Sequence, residues 1–136
     1  MNNLNFPTYT VQPGVEVPNR YYGIKKINFL GAGAEVIVNA LKRNPVVISI
    51  NNSKMFRFYS SGVFETTDCK TGITDHNFVA VGYSLSAQRP YIKVLNSWGS
   101  NWGMKGYGLI ALYHLGSKLT SVCGLDTDPS NYQIEL

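Results

Sequence analysis

Long apolar runs are missing from this chain. No stretch of about 18 consecutive apolar residues occurs in its 136 residues, so no membrane-spanning helix is expected. Charge is sparse as well. Only 15% of residues are Asp, Glu, Lys or Arg, and the net charge of +4 comes from 12 basic and 8 acidic residues scattered along the chain. The tightest basic pairs are Lys25-Lys26 and Lys42-Arg43, whereas a nucleic-acid surface would show a stripe or cluster. The charge is therefore read as serving solubility, with no nucleic-acid partner expected. Cysteine is limited to Cys69 and Cys123, too far apart to form the close ligand pairs of a zinc site. They can be two buried thiols or one bridge, and a bridge would imply an oxidising compartment. Asp75, His76 and the cysteines lack metal-site spacing, so neither metal nor cofactor is expected. The opening MNNLNFPTYT has no basic segment followed by an apolar one and does not read as a signal peptide. Repeats and low-complexity tracts are also lacking.

What remains is the composition of one globular domain. Hydrophobic residues make up 44% of the chain, and its 9 Tyr, 6 Phe and 2 Trp suit clefts and interfaces with one wet side. Residues 1–20 contain Pro7, Pro13 and Pro18 and read as an extended, irregular lead-in to a domain over 21–136. A weak alternation over 21–28 suggests a short strand, and Gly31 and Gly33 mark a turn. Residues 35–43 carry a helical spacing of apolar positions, with Glu35 early and Lys42-Arg43 late in keeping with the helix dipole. Asn44-Pro45 ends that helix. The β-branched segment VVISI over 46–50 is a strand, as are 78–83, 91–95 and 107–113. Several strands behind one short helix, without regular strand–helix alternation, point to an α+β fold with an antiparallel, barrel-like sheet.

Three segments carry the chemistry: Tyr59-Ser60-Ser61-Gly62-Val63-Phe64; Asp75-His76 leading into Ala80-Val81-Gly82-Tyr83; and Asn96-Ser97-Trp98-Gly99-Ser100-Asn101-Trp102-Gly103-Met104-Lys105-Gly106-Tyr107. Cys123-Gly124-Leu125 follows. This order resembles the papain and cathepsin family of cysteine proteases, in its C-terminal, right-hand domain. The helix and Pro-Val strand over 35–50 fit the same likeness, which covers about residues 20–127 well and 1–20 poorly. The Asn-Ser-Trp-Gly block is its most specific part.

The resemblance implies roles. His76 is the general base and acid that pairs with a cysteine thiolate. Asn96 holds the His76 ring in a productive orientation, an amide in the place a carboxylate fills in other triads. Trp98 shields that hydrogen bond from water, and Trp102 lines the leaving-group side of the cleft. Cys69 and Cys123 correspond to a structural disulfide rather than to the nucleophile. Ser49, Thr74 and Asp128 map to the pocket for the second residue before the cleaved bond, where a carboxylate at 128 would favour Arg or Lys. His114 has no comparable context and reads as an ordinary strand-end residue. The family's nucleophilic cysteine and oxyanion glutamine belong to a first domain with no counterpart here. The expectation is thus the C-terminal part of an endopeptidase, inactive unless a complementary N-terminal domain or chain joins it, and acting on peptide or protein substrates. The alternative is a non-catalytic, protein-binding relative. The implied location is lysosomal, vacuolar or secreted. Asn51-Asn52-Ser53 forms a glycosylation sequon expected on a surface loop.

Overall fold

A computed structural model describes residues 24–69, 73–115, 122–126 and 131–135, and the backbone of residues 2–3. Its elements in chain order are β1 (Asn2–Asn3), β2 (Lys26–Phe29), α1 (Ala34–Leu41), β3 (Val46–Ile50), α2 (Lys54–Arg57), β4 (Val63–Phe64), β5 (His76–Ser84), β6 (Tyr91–Leu95) and β7 (Tyr107–Ala111). A short 3-10 turn (Val122–Gly124) and β8 (Tyr132–Glu135) complete the chain. The strands form one sheet in the order β2-β8-β3-β5-β6-β7-β4, with β1 pairing to β5. All pairs are antiparallel except β4 with β7. The fold is α+β.

The core follows from residue alternation. Val46, Ile48 and Ile50 of β3 turn one face inward and are 0%, 0% and 1% exposed. Helix α1 lays Ile37, Val38 and Leu41 against β3 and β5. It ends at Leu41, two residues short of the expected stop, where Lys42 serves as cap. The reason it needs no longer run is a residue far along the chain. Gln133 of β8 is buried, and its Nε2 donates to the carbonyls of Ala40 (2.7 Å), which also accepts the Arg43 N–H (3.0 Å), and of Asn44 (2.8 Å), just past the helix end.

Strand β8 was not expected. It binds β2 on one side and β3 on the other, so the strand read at 21–28 appears as Lys26–Phe29, in register with Tyr132–Glu135. Strand β5 is longer than its apolar run, reaching from His76 to Ser84, with a register shift between Ala80 and Gly82. Strand β7 stops at Ala111, short of residue 113. Most of the lead-in over 1–20 lies outside the described residues, but Asn2 and Asn3 pair with Tyr83 and Gly82.

The sequon expectation is corrected. Asn51 is 5% exposed and its N–H donates to the Cys123 carbonyl (3.0 Å). Ser53 is 2% exposed and its Oγ accepts the Met55 N–H (3.0 Å), capping α2. The tripeptide is packed inward because it joins the end of β3 to a helix, and leaves no room for a glycan.

Candidate active site

His76 opens β5 opposite Ile50 of β3, while Asn96 follows directly on β6. Because β5 and β6 are neighbours with Val79 opposite Leu95, two residues 20 apart in sequence meet at one end of the sheet. His76 Nε2 lies 2.8 Å from Asn96 Oδ1. The same oxygen accepts the Ser97 backbone N–H at 2.8 Å. A backbone N–H can only donate, so the amide atom between these two partners is the oxygen. Nε2 must then carry its proton, which leaves Nδ1 as the nitrogen free to exchange one. Asn96 is 6% exposed, and its Nδ2 is buried with no hydrogen-bond partner among the described residues.

The loop after Asn96 is held tightly. Asn96 N–H donates to Gly106 O (3.0 Å), Gly106 N–H to Trp102 O (2.8 Å), and Gly103 N–H to Tyr59 O (3.2 Å). This fold-back puts Trp98 against the imidazole, ring centres 4.6 Å apart and planes inclined by 31°. Trp98 stays 37% exposed, covering His76 on one side and facing solvent on the other. Trp102 goes inward instead. It is 6% exposed and its Nε1 donates to the Phe56 carbonyl at 2.9 Å. Gly108 permits this, since a Cβ there would stand 2.8 Å from the Trp102 ring and 3.1 Å from Tyr59.

Phe56, wholly buried on α2, is the hub of the cluster. Its ring faces Trp102 (4.9 Å), Phe64 (5.3 Å), Trp98 (5.7 Å), His76 and Phe78 (both 6.1 Å). Over it lies an open cavity of about 740 Å³ walled by His76, Trp98, Trp102, Arg57, Phe58 and Asn101, among others. Asp75 turns away from the imidazole, its Oδ1 accepting the Asn52 N–H at 2.6 Å.

Of the expected pocket residues, Ser49 and Thr74 lie apart from this cavity. Ser49 pairs with Asn77, one step along the strands from Ile50 and His76, and its Oγ donates to Asn77 Oδ1 at 2.5 Å. Strand alternation turns this pair to the other face from His76. Thr74 is exposed, neither it nor Ser49 lines the cavity, and Asp128 lies outside the described residues. Cys69 and Cys123 are joined in a disulfide, so both cysteine sulfurs of the chain are engaged.

Residues 12–132 match the family described as papain family cysteine protease. The chain belongs to this family. Papain-family relatives include the cysteine protease XCP2 of Arabidopsis thaliana, 41% identical over 92 residues that cover 66% of this chain and 24% of that protein. Bovine (Bos taurus) pro-cathepsin H is 39% identical over 94 residues, covering 67% of this chain and 26% of its own length. The chain thus spans about a quarter of these curated relatives. Among solved structures, bromelain of Ananas comosus in complex with the E64 inhibitor superposes with a TM-score of 0.74 at 29% identity, over 88% of this chain and 54% of that one. Procathepsin L 3 of Tenebrio molitor shares the fold, with a TM-score of 0.71 at 24% identity over 83% and 36% of the two chains. These likenesses place the described residues in the C-terminal domain of papain-like proteases.

Sequence reading passed over Phe56 and the helix that carries it, and gave Tyr59 no role beyond opening a segment. Phe56 and Tyr59 are three apart behind an N-capping Ser53, a short-helix signal that could have been found. Tyr59 Oη donates to Gly62 O (2.6 Å) and accepts the Leu109 N–H (3.1 Å), tying α2 to β7. Burial pushes its phenol above the usual range, against the lowering effect of the Leu109 bond. His114 is more than a strand-end residue, since its buried Nδ1 stands 3.3 Å from Glu65 Oε1, an ion pair only when the imidazole is protonated. Glu65 also accepts from Arg89 and from the Leu115 N–H (2.6 Å). Burial alone would raise its carboxyl, but the Leu115 bond, the Arg89 charge and His114 together hold it below the usual range.

Proposed function

We propose that this chain supplies the histidine and asparagine half of a peptide-bond-hydrolysing cysteine protease, and that the nucleophilic thiol and oxyanion donors come from a complementary Cys-bearing domain. The observation that carries this reading is the 2.8 Å contact from His76 Nε2 to Asn96 Oδ1 beneath Trp98, at the edge of an open cavity. In that role Nδ1 of His76 would take the thiol proton, leaving a thiolate beside an imidazolium, and would return it to the leaving amine. Asn96 would fix the ring without adding a charge. Neither cysteine of this chain offers a free thiol for attack, which supports an isolated chain that does not hydrolyse peptides. The disulfide favours an oxidising compartment, such as a lysosome, a vacuole or the secretory route. Ser49, Thr74 and Asp128 would wall the pocket for the second residue before the cleaved bond, with the Asp128 carboxylate at its far end. Such a wall prefers Arg or Lys over Leu there, and equal turnover of Arg and Leu substrates would remove that preference.

The test is complementation. The chain is refolded with the Cys-bearing first domain of a papain-family relative, and hydrolysis of a fluorogenic peptide is followed. Activity is expected only in the mixture, and His76→Ala should lower it by about 10² to 10⁴. A folded complex with no activity, or activity indifferent to His76→Ala, would refute the proposal. A second reading, a non-catalytic protein-binding relative, draws on the engaged sulfurs and on Phe58, 80% exposed at the cavity mouth. Stable capture of a partner other than such a domain, without hydrolysis, would favour it.

A further inference from the structure

The cavity beside His76 has one charged wall that neither the triad geometry nor the fold requires. Arg57 ends α2 and is exposed at the cavity with Phe58, Ser60 and Asn101 nearby. Its guanidinium makes no ion pair or hydrogen bond among the described residues, and it packs into no core cluster. No Asp or Glu lines the cavity among the described residues. Two acids of neighbouring segments are already engaged. Glu65 is bound to Arg89 and the Leu115 N–H, and Asp75 to the Asn52 N–H. A planar five-donor group held at a concave site, with polar neighbours and aromatic walls, matches a carboxylate far better than a neutral side chain.

We infer that Arg57 reads a carboxylate on the leaving-group segment of a bound peptide, either an Asp or Glu side chain or the peptide's own free C-terminus. The assignment to the leaving-group side rests on the protease reading, through the placement of Trp98 and Trp102. The carboxylate preference itself is a property of this cavity. Phe58 and Trp98 supply apolar surface for the peptide body, and Ser60 and Asn101 supply neutral hydrogen-bonding groups beside the cation.

The experiment uses the 136-residue chain alone, so that binding is measured without bond cleavage. Three acetylated tripeptides differing only at the end are titrated: Ac-Gly-Phe-Gln amide, Ac-Gly-Phe-Glu amide and Ac-Gly-Phe-Gln with a free carboxylate. Indole resonances of Trp98 and Trp102 report occupancy. At least one carboxylate peptide should bind about fivefold more tightly than the neutral amide, and its identity assigns the source of the carboxylate. That margin should vanish in Arg57→Gln, persist in part in Arg57→Lys and shrink as salt is raised. Equal affinity for all three peptides, or a margin unchanged in Arg57→Gln, would overturn the inference. Failure of complementation with the margin intact would remove the protease reading and leave the carboxylate site standing. Successful hydrolysis with no margin would remove this inference alone.

Discussion

Two phenylalanines of one short segment should behave in opposite ways. Phe56 is 0% exposed and Phe58 is 80% exposed, although only Arg57 separates them. Phe56→Ala removes a ring that touches five aromatic neighbours at 4.9–6.1 Å between centres. Losing its burial costs about 1.5–3 kcal/mol. The unfilled space adds to that, because Trp102 is pinned by its bond to the Phe56 carbonyl and cannot collapse inward freely. A total of about 3–5 kcal/mol follows. For a domain of this size that corresponds to a fall of about 10–20 °C in Tm. Phe58→Ala should change stability by less than about 0.5 kcal/mol. Urea titration followed by far-UV circular dichroism measures both. The imidazole resonances of His76 should broaden or shift in Phe56→Ala, since His76 and Trp98 both rest on that ring. A Phe56→Ala cost below about 1 kcal/mol, or equal costs for the two variants, would refute the placement of α2 under the site.

The Glu65 carboxyl is held below its usual range in the fold, so its contribution is present above the ordinary carboxyl range and is lost as pH falls through the lowered value. Glu65→Gln should flatten the acid limb of stability against pH, and an unchanged slope in denaturant titrations from pH 3 to 7 (about the carboxyl range) would count against the clamp with Arg89. Replacing Cys69 and Cys123 by Ser opens a link between residues 54 apart, which the chain-entropy argument values at about 4 kcal/mol, measurable as a lower urea midpoint. Gln133→Leu fits the space but leaves the Asn44 carbonyl without its side-chain donor and takes one of several from the Ala40 carbonyl, for a loss of about 1–3 kcal/mol in the same assay, with faster amide exchange at the end of α1.

What the sequence made legible divides by range of interaction. Helix α1 and strands β3, β5, β6 and β7 announced themselves through β-branched runs and the stop at Asn44-Pro45, all local signals. Strand β8 did not, because its one deeply buried side chain is Gln133, and a polar residue in the core breaks the alternation that marks a strand. Its partner is a helix end some ninety positions earlier, about as non-local as this chain allows. Strand β4 has two residues and α2 has four, too short for periodicity to register. Asn51 looked like a loop residue and is buried because Cys123 comes to it from far down the chain. His76 and Asn96 were visible only through the resemblance. Composition could not have joined them, whereas the β5–β6 register does.

Asn96 is where fold and site make opposed demands. Its side chain is almost sealed, with one oxygen shared by two donors and an Nδ2 lacking a partner among the described residues. An apolar residue would pack there at lower cost, but it would unpair the Ser97 N–H and release the imidazole. An aspartate would hold both donors more strongly, yet it would bury a charge at a position 6% exposed, which is costlier still unless His76 stays protonated. The amide fixes the proton on Nε2 without burying a second charge beside the ring. That suits the proposed general base, which would take and return a proton at Nδ1 of a ring already oriented.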